Sequence, residues 1–149
     1  MENSHKLKVA VVGVGMVGGQ VLRWFESKRH PVVAYDKYKN IGSLEDISKA
    51  KIIFLCLPTP HRKNQKNGTD VAIFNEVIKF FKEPKIFVIK STIPPGTTEH
   101  LQKKFKKHYF LHSPEFLTEA TAWKDFSRPD LQLIGYTKKS RKFANLILK

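Results

Sequence analysis

The chain has 149 residues, enough for one domain with a single core and too few for two. Its 41% hydrophobic content excludes wholesale disorder, no stretch approaches the ~20 apolar residues of a membrane span, and a lone cysteine excludes an internal disulfide or multi-cysteine metal site. Its 27 basic and 13 acidic residues leave a formal charge of +14, but the excess is dispersed as a lysine coat, so a solvated surface is preferred and nucleic-acid binding is the lesser reading.

The first eight residues run straight into a strand-like segment and lack the long apolar stretch of a secretory signal, so a cytoplasmic protein is expected. Lys8–Gly13 reads as a buried strand, Met16 to about Ser27 as a helix, and Pro31–Asp36 as the next strand. Ser43-Leu-Glu-Asp resembles a capping box with aspartate in the glutamate's place and opens a brief helix. Lys51–Leu57 is an apolar strand, followed by Pro58-Thr59-Pro60 and a polar loop to Gly68. Asp70 caps a helix to about Phe81, with Val71, Phe74, Val77, Ile78 and Phe81 at helical spacing. A strand at Ile86–Ile89, a break at Pro94-Pro95-Gly96 and a helix from Thr97 to about Lys107 follow. A strand at Tyr109–Leu111, a helix around Glu115–Trp123, a strand at Leu131–Ile134 and a helix from about Lys138 complete the chain. This alternation predicts one α/β domain spanning 1–149, a Rossmann-type doubly wound parallel sheet of about six strands with helices on both faces.

Gly13-Val14-Gly15-Met16-Val17-Gly18 sits between the first strand and first helix. At this spacing Gly13 permits a tight turn, Gly15 a close backbone approach to a diphosphate, and Gly18 the packing of helix on strand. The helix start at Met16 and Val17 offers free N–H groups to the phosphates. Asp36, 23 positions after Gly13, ends the second strand, where a carboxylate accepts bonds from the adenosine ribose and repels a 2′-phosphate. The pattern predicts NAD over NADP, although Lys37 beside it blurs the preference.

Four further segments carry a family signature: Leu55-Cys-Leu-Pro-Thr-Pro60, Lys90-Ser-Thr-Ile-Pro-Pro-Gly-Thr97, Ser113-Pro-Glu-Phe-Leu-Thr-Glu-Ala120 and Arg128-Pro-Asp130. With the glycine motif in front, they resemble the N-terminal NAD-binding domain of the UDP-glucose/GDP-mannose dehydrogenase family. The resemblance implies oxidation of C6 of a nucleotide sugar to the carboxylate, with two NAD molecules used in succession. It implies that Leu57, Pro58 and Thr59 line the cofactor cleft and that Ser91 and Thr92 lie by the nicotinamide. It further implies that Thr92 helps hold a catalytic water, that Glu115 takes part in hydrolysis, and that Phe116, Leu117 and Glu119 contact the sugar. Without the resemblance, Glu115 would read as a residue in the first turn of a helix, favoured there by the dipole.

The match has departures. The family's nucleophilic cysteine lies in a glycine-rich segment of its C-terminal domain, and neither that segment nor the central helical region matches anything here. Cys56, inside an apolar strand, reads as an inert buried thiol. Ser113 replaces a usual asparagine, Ala120 a glycine and Leu131 an arginine, and the segment after Asp36 is much shorter than usual. The chain is therefore expected to bind NAD, to be inactive alone, and to need the remaining domains in cis or trans. The homodimer is expected only of the full-length enzyme, and this chain as a monomer with an uncovered face. A non-catalytic NAD-binding or assembly module is the alternative. His108 and His112 share a strand face without a second ligand pair, so they are expected to be solvated or at the core's edge and no metal is expected. Ser91 and Ser113 lack a nucleophile elbow, no Gly-Lys-[Ser/Thr] phosphate loop is present, and Phe80, Phe81, Phe105 and Phe110 read as packing.

Overall fold

The computed structural model describes residues 7–61, 63 and 71–148. Among the described residues six strands form one sheet: β1 (Val9–Val12), β2 (Val32–Tyr35), β3 (Ile52–Leu55), β4 (Ile86–Ile89), β5 (Tyr109–His112) and β6 (Gly135–Tyr136), in the order β2-β1-β3-β4-β5-β6. The first five are parallel and without stagger: Val9 pairs with Val32 and Ile52, Ile52 with Ile86, and Ile86 with Tyr109. Their C-terminal tips are therefore flush, and whatever follows each strand emerges along one edge. The strand order reverses between β1 and β3, the switch point where ligands of open α/β sheets bind.

The helices are α1 (Met16–Ser27), α2 (Leu44–Ser48), α3 (Ala72–Phe80), α4 (Thr97–Lys104), α5 (Ala122–Ser127) and α6 (Ala144–Leu148), the last preceded by a 3₁₀ turn. Strands β1, β3 and β4 are buried along their full length because both faces are covered. On one face Ala10, Val12, Leu55, Phe87 and Phe110 pack with Ile47, Phe74, Ile78 and Leu101 from α2, α3 and α4. On the other, Val9, Val11, Phe54, Val88 and Leu111 meet Val21 of α1 and Ala144 of α6. Phe87 stacks on Phe110 at 5.3 Å and meets Phe81 edge-on at 5.3 Å. Among the described residues no helix is long and apolar enough to cross a membrane.

The expected architecture is present, with local differences. Strand β6 is antiparallel and pairs only at Leu111–Tyr136 and His112–Gly135. The six-residue α5, about 9 Å long, does not carry the chain back to the far edge of the sheet as a parallel crossover requires. Leu131–Ile134, expected as a strand, is irregular, with Leu131 and Leu133 exposed. Glu115 lies in an irregular segment, and the helix expected around it begins only at Ala122. The cap expected at Asp70 falls outside the described residues.

At Ser43 the predicted box forms in altered fashion. The Asp46 N–H donates to Ser43 Oγ at 3.1 Å, and that hydroxyl donates to the Asp46 carboxylate at 2.7 Å. With so short a segment after Asp36, β2 becomes the edge of the sheet. The chain turns back there through mutual Asp36–Ile41 backbone bonds, and Gly42 passes so close that a Cβ would stand 2.0 Å from the Ala34 carbonyl oxygen.

Candidate functional site

The glycine turn occupies the tip of β1 at the switch point. Gly13 has φ +87°, a left-handed conformation that favours glycine, and its N–H donates to the Tyr35 carbonyl at 2.8 Å. A Cβ on Gly18 would lie 1.8 Å from the Gly13 carbonyl oxygen, so helix and strand touch there. A Cβ on Gly15 would meet nothing within 4 Å, so that backbone faces open space. No side chain caps α1, and its first turn holds no acidic residue. The bare start of α1 thus suits an anion.

Asp36 follows β2 directly. Its Oδ2 accepts the Val14 N–H at 2.8 Å, and its Oδ1 accepts those of Tyr38 and Lys39, each at 3.0 Å. Burial raises its pKa, but the three N–H donors and the nearby Lys39 charge outweigh this and hold it below the usual carboxylate range. A carboxylate has about four lone-pair positions, so one remains for a ligand hydroxyl. The adjoining cleft, about 240 Å³, has apolar walls from Val12, Tyr35, Leu44, Leu57, Ile73 and Val77, with Gly13, Asp36 and Pro58 on its rim. An apolar slot ending in an ionised acceptor beside a free helix start fits a dinucleotide.

The tips of β3, β4 and β5 are tied together. Ser91 Oγ donates to the Leu57 carbonyl at 2.6 Å, and Thr59 Oγ1 donates to the Thr92 carbonyl at 2.8 Å. His112 Nε2 lies 3.2 Å from the Ser91 carbonyl. Burial holds this imidazole below the ordinary histidine range against the Ser91 bond, and the Lys90 charge adds to that. Beneath them the buried Lys90 ammonium forms an ion pair with Glu115, donates to Ser113 Oγ at 3.0 Å and lies 5.7 Å from the Phe126 ring centre. A buried cation with a carboxylate and a hydroxyl around it is satisfied, whereas one with its partner removed is costly. Burial pushes the neighbouring Cys56 thiol up to about 12, against the Lys90 charge, so it stays protonated.

The sequence-predicted residues fall along this one edge. Gly13, Gly15, Met16, Val17, Gly18 and Asp36 surround the turn, with Met16 half-exposed at the helix start. Leu57, Pro58, Thr59, Ser91 and Thr92 occupy the central tips. Glu115, Phe116 and Leu117 line a second cleft of about 540 Å³ with Lys90, Asp125 and Arg128. Glu119 stands apart, exposed on the turn beyond that wall. Sequence reading missed Lys90, although a lysine directly after four apolar strand residues is a signal of a buried, partnered charge. It also missed Lys39, whose Nζ donates to the Val14 carbonyl at 2.5 Å; nothing in the sequence separates it from the other surface lysines. His108, expected to be solvated or at the core's edge, is fully buried. Among the described residues, no three His, Cys, Asp or Glu side chains come together as a metal site would need.

Comparison with known proteins gives a consistent picture. The NAD-binding domain of the UDP-glucose/GDP-mannose dehydrogenase family matches residues 37–147, most of the chain. The match starts just past Asp36, so the glycine turn and its carboxylate are separate evidence. UDP-glucose 6-dehydrogenase 1 of Glycine max is 32% identical over 87% of this chain and 32% of its own length. UDP-N-acetyl-D-mannosamine dehydrogenase of Methanococcus maripaludis is 29% identical over 74% of this chain and 28% of its own. The chain thus spans about a third or less of these curated relatives. In fold it is similar to a UDP-glucose dehydrogenase from Pyrobaculum islandicum, with TM-score 0.81 and 22% identity, covering 96% of this chain and 44% of that one.

Proposed function

The chain belongs to the UDP-glucose/GDP-mannose dehydrogenase family, and from that premise we propose that it serves a UDP-glucose 6-dehydrogenase-like oxidoreductase, which converts C6 of a nucleotide sugar to the uronate. The observation that carries the reading is the pairing of Asp36 with the glycine turn through the Val14 N–H. A carboxylate beside an uncapped helix start at the sheet's switch point supports Asp36 as the ribose acceptor.

Bound NAD supplies the hydride acceptor at its nicotinamide ring. The N–H groups at Met16 and Val17 and the open backbone at Gly15 receive the diphosphate. Asp36 accepts from the adenosine ribose. Leu57, Pro58, Thr59, Ser91 and Thr92 form the wall at the nicotinamide end. Thr92 holds a water there, and Glu115, fixed by Lys90, acts on that water as a base. Phe116 and Leu117 face the sugar, with Glu119 the outermost of the three, on the exposed turn that follows.

In this reading residues 1–149 are one NAD-binding domain, and the nucleophilic cysteine, most of the sugar pocket and the dimer contact are supplied by other domains, in cis or in trans. Cys56, expected to be buried but only partly so, keeps its proton and does not replace that nucleophile. The 149-residue chain alone binds NAD and does not complete the oxidation. Titration calorimetry with NADH tests this: Asp36→Ala is expected to weaken binding by about tenfold or more, through loss of a hydrogen bond to a charged acceptor. Undetectable binding to the parent chain, or equal affinity in the variant, refutes the reading.

A further inference from the structure

At the ribose end of the cleft, the charge that normally selects against a 2′-phosphate is matched by charge of opposite sign. In dinucleotide folds the acid closing β2 excludes that phosphate by repulsion, and a nearby cation admits it. Asp36 here has three of its roughly four acceptor positions filled by the N–H groups of Val14, Tyr38 and Lys39. The Lys39 ammonium is anchored on the Val14 carbonyl at 2.5 Å. Carboxylate and ammonium are thus held at the two ends of one residue's backbone, within the glycine turn itself. Lys37 lines the same cleft, whose other ionic side chain is Glu76 on α3. Within the lining Asp36 and Glu76 face only Lys37, and it is Lys39, held just outside on the Val14 carbonyl, that brings the formal charge around the ribose end to zero.

The space beyond the ribose is also open. Among the described residues strand β2 is the sheet's edge and no outer strand closes over the tip where Asp36, Lys37 and Lys39 emerge; Tyr38 among them is 85% exposed. A phosphate there stays in contact with solvent and needs no fully enclosed pocket.

We propose that this site also takes a 2′-phosphorylated dinucleotide, and that Lys39 is the residue that sets its preference between the two cofactors. With NAD, Lys39 stays on the Val14 carbonyl. With the phosphorylated form it exchanges that exposed bond to an uncharged carbonyl for an ion pair with the phosphate, a stronger contact because both partners are then charged. Asp36 keeps its backbone donors in both states, so the turn is not remade. The proposal rests on the reading that this cleft holds the adenosine half of NAD.

The test is a pair of dissociation constants, for NADH and NADPH, measured by fluorescence on the 149-residue chain and its variants. The parent chain is expected to bind both within about tenfold. Lys39→Met is expected to weaken NADPH about tenfold more than NADH, Lys39→Arg to keep the parental ratio, and Lys37→Met to shift it less. A parent chain that binds NADH but disfavours NADPH by about a hundredfold or more overturns the proposal and leaves the NAD reading standing. So does a Lys39→Met variant that weakens both ligands equally, which would make Lys39 a brace for the turn. Binding of neither ligand brings down both.

Discussion

Three neighbouring glycines at the start of α1 should respond to the same substitution in three different ways. At Gly18 an alanine Cβ would stand 1.8 Å from the Gly13 carbonyl oxygen and 2.9 Å from its carbon, both backbone atoms. Relief requires α1 to move off β1, an overpacking cost of about 1–3 kcal/mol. At Gly19 an added Cβ meets nothing within 4 Å, and alanine is the better helix former by about 0.5–1 kcal/mol. For a domain of this size each kcal/mol moves the melting midpoint by about 2–4 °C. Gly18→Ala should therefore melt roughly 2–12 °C lower and Gly19→Ala about 1–4 °C higher. At Gly15 the added methyl also meets nothing within 4 Å, so stability changes by no more than about 1 kcal/mol, the loss of a tolerable N-cap. The same methyl occupies the approach to the helix start, and NADH affinity should fall at least about tenfold. Thermal unfolding followed by circular dichroism, with NADH titration in parallel, separates the three. Equal midpoints for Gly18→Ala and Gly19→Ala would refute the contact at the turn. Parental NADH affinity in Gly15→Ala would refute the diphosphate's approach there.

His108 makes stability depend on pH. Burial, with Lys107, Lys139 and Lys85 adding, lowers its pKa to about 4, and its Nδ1 accepts the Lys85 N–H at 3.2 Å, so the ring is neutral when folded. The unfolded chain takes up that proton near pH 6.5 and the folded chain only near 4, so stability is lost as pH falls through this window, by at most about 3 kcal/mol. Urea unfolding at pH 7 and pH 4.5 should show the loss, and His108→Leu should flatten it; an unchanged slope refutes the assignment. Lys85 donates to the Ser48 and Ala50 carbonyls at 2.5 and 2.7 Å, closing the end of α2, and Lys85→Met should cost about 1–3 kcal/mol in the same assay. Cys56, partly exposed but with its thiol held protonated, should react with a thiol reagent much more slowly in the folded chain than under denaturing conditions; equal rates would contradict the raised pKa.

Much of this was legible in the chain because the central strands β1, β3 and β4 are buried on both faces and so read as apolar blocks. Ile86–Ile89 and Met16–Ser27 match their expected bounds. Gly13, Gly18 and Asp36 hold the positions their spacing predicts, since a turn that brings helix and strand into contact admits few alternatives. Elsewhere the local pattern misled. The apolar alternation of Leu131–Ile134 suggests a strand, but pairing depends on where a short α5 delivers the chain, and the ladder forms at Gly135–Tyr136. The helix expected around Glu115 gives way to an irregular segment in which its carboxylate meets Lys90, 25 residues earlier. Such pairings across strands leave no periodic trace, and Lys39 on Val14 is another. Thr118, Thr121 and Asp125 likewise assemble only in space: the Asp125 carboxylate accepts from the Thr121 hydroxyl at 2.6 Å and the Thr118 N–H at 3.0 Å.

Unstaggered parallel strands also act as a ruler. Neighbours are about 4.8 Å apart, so a molecule gripped by its ribose behind β2 reaches the residues behind β4 three spacings on, roughly 14 Å away. That interval belongs to backbone pairing, not to the loops. Loop substitutions can then alter what is grasped at either end while the distance between the two grips stays constant.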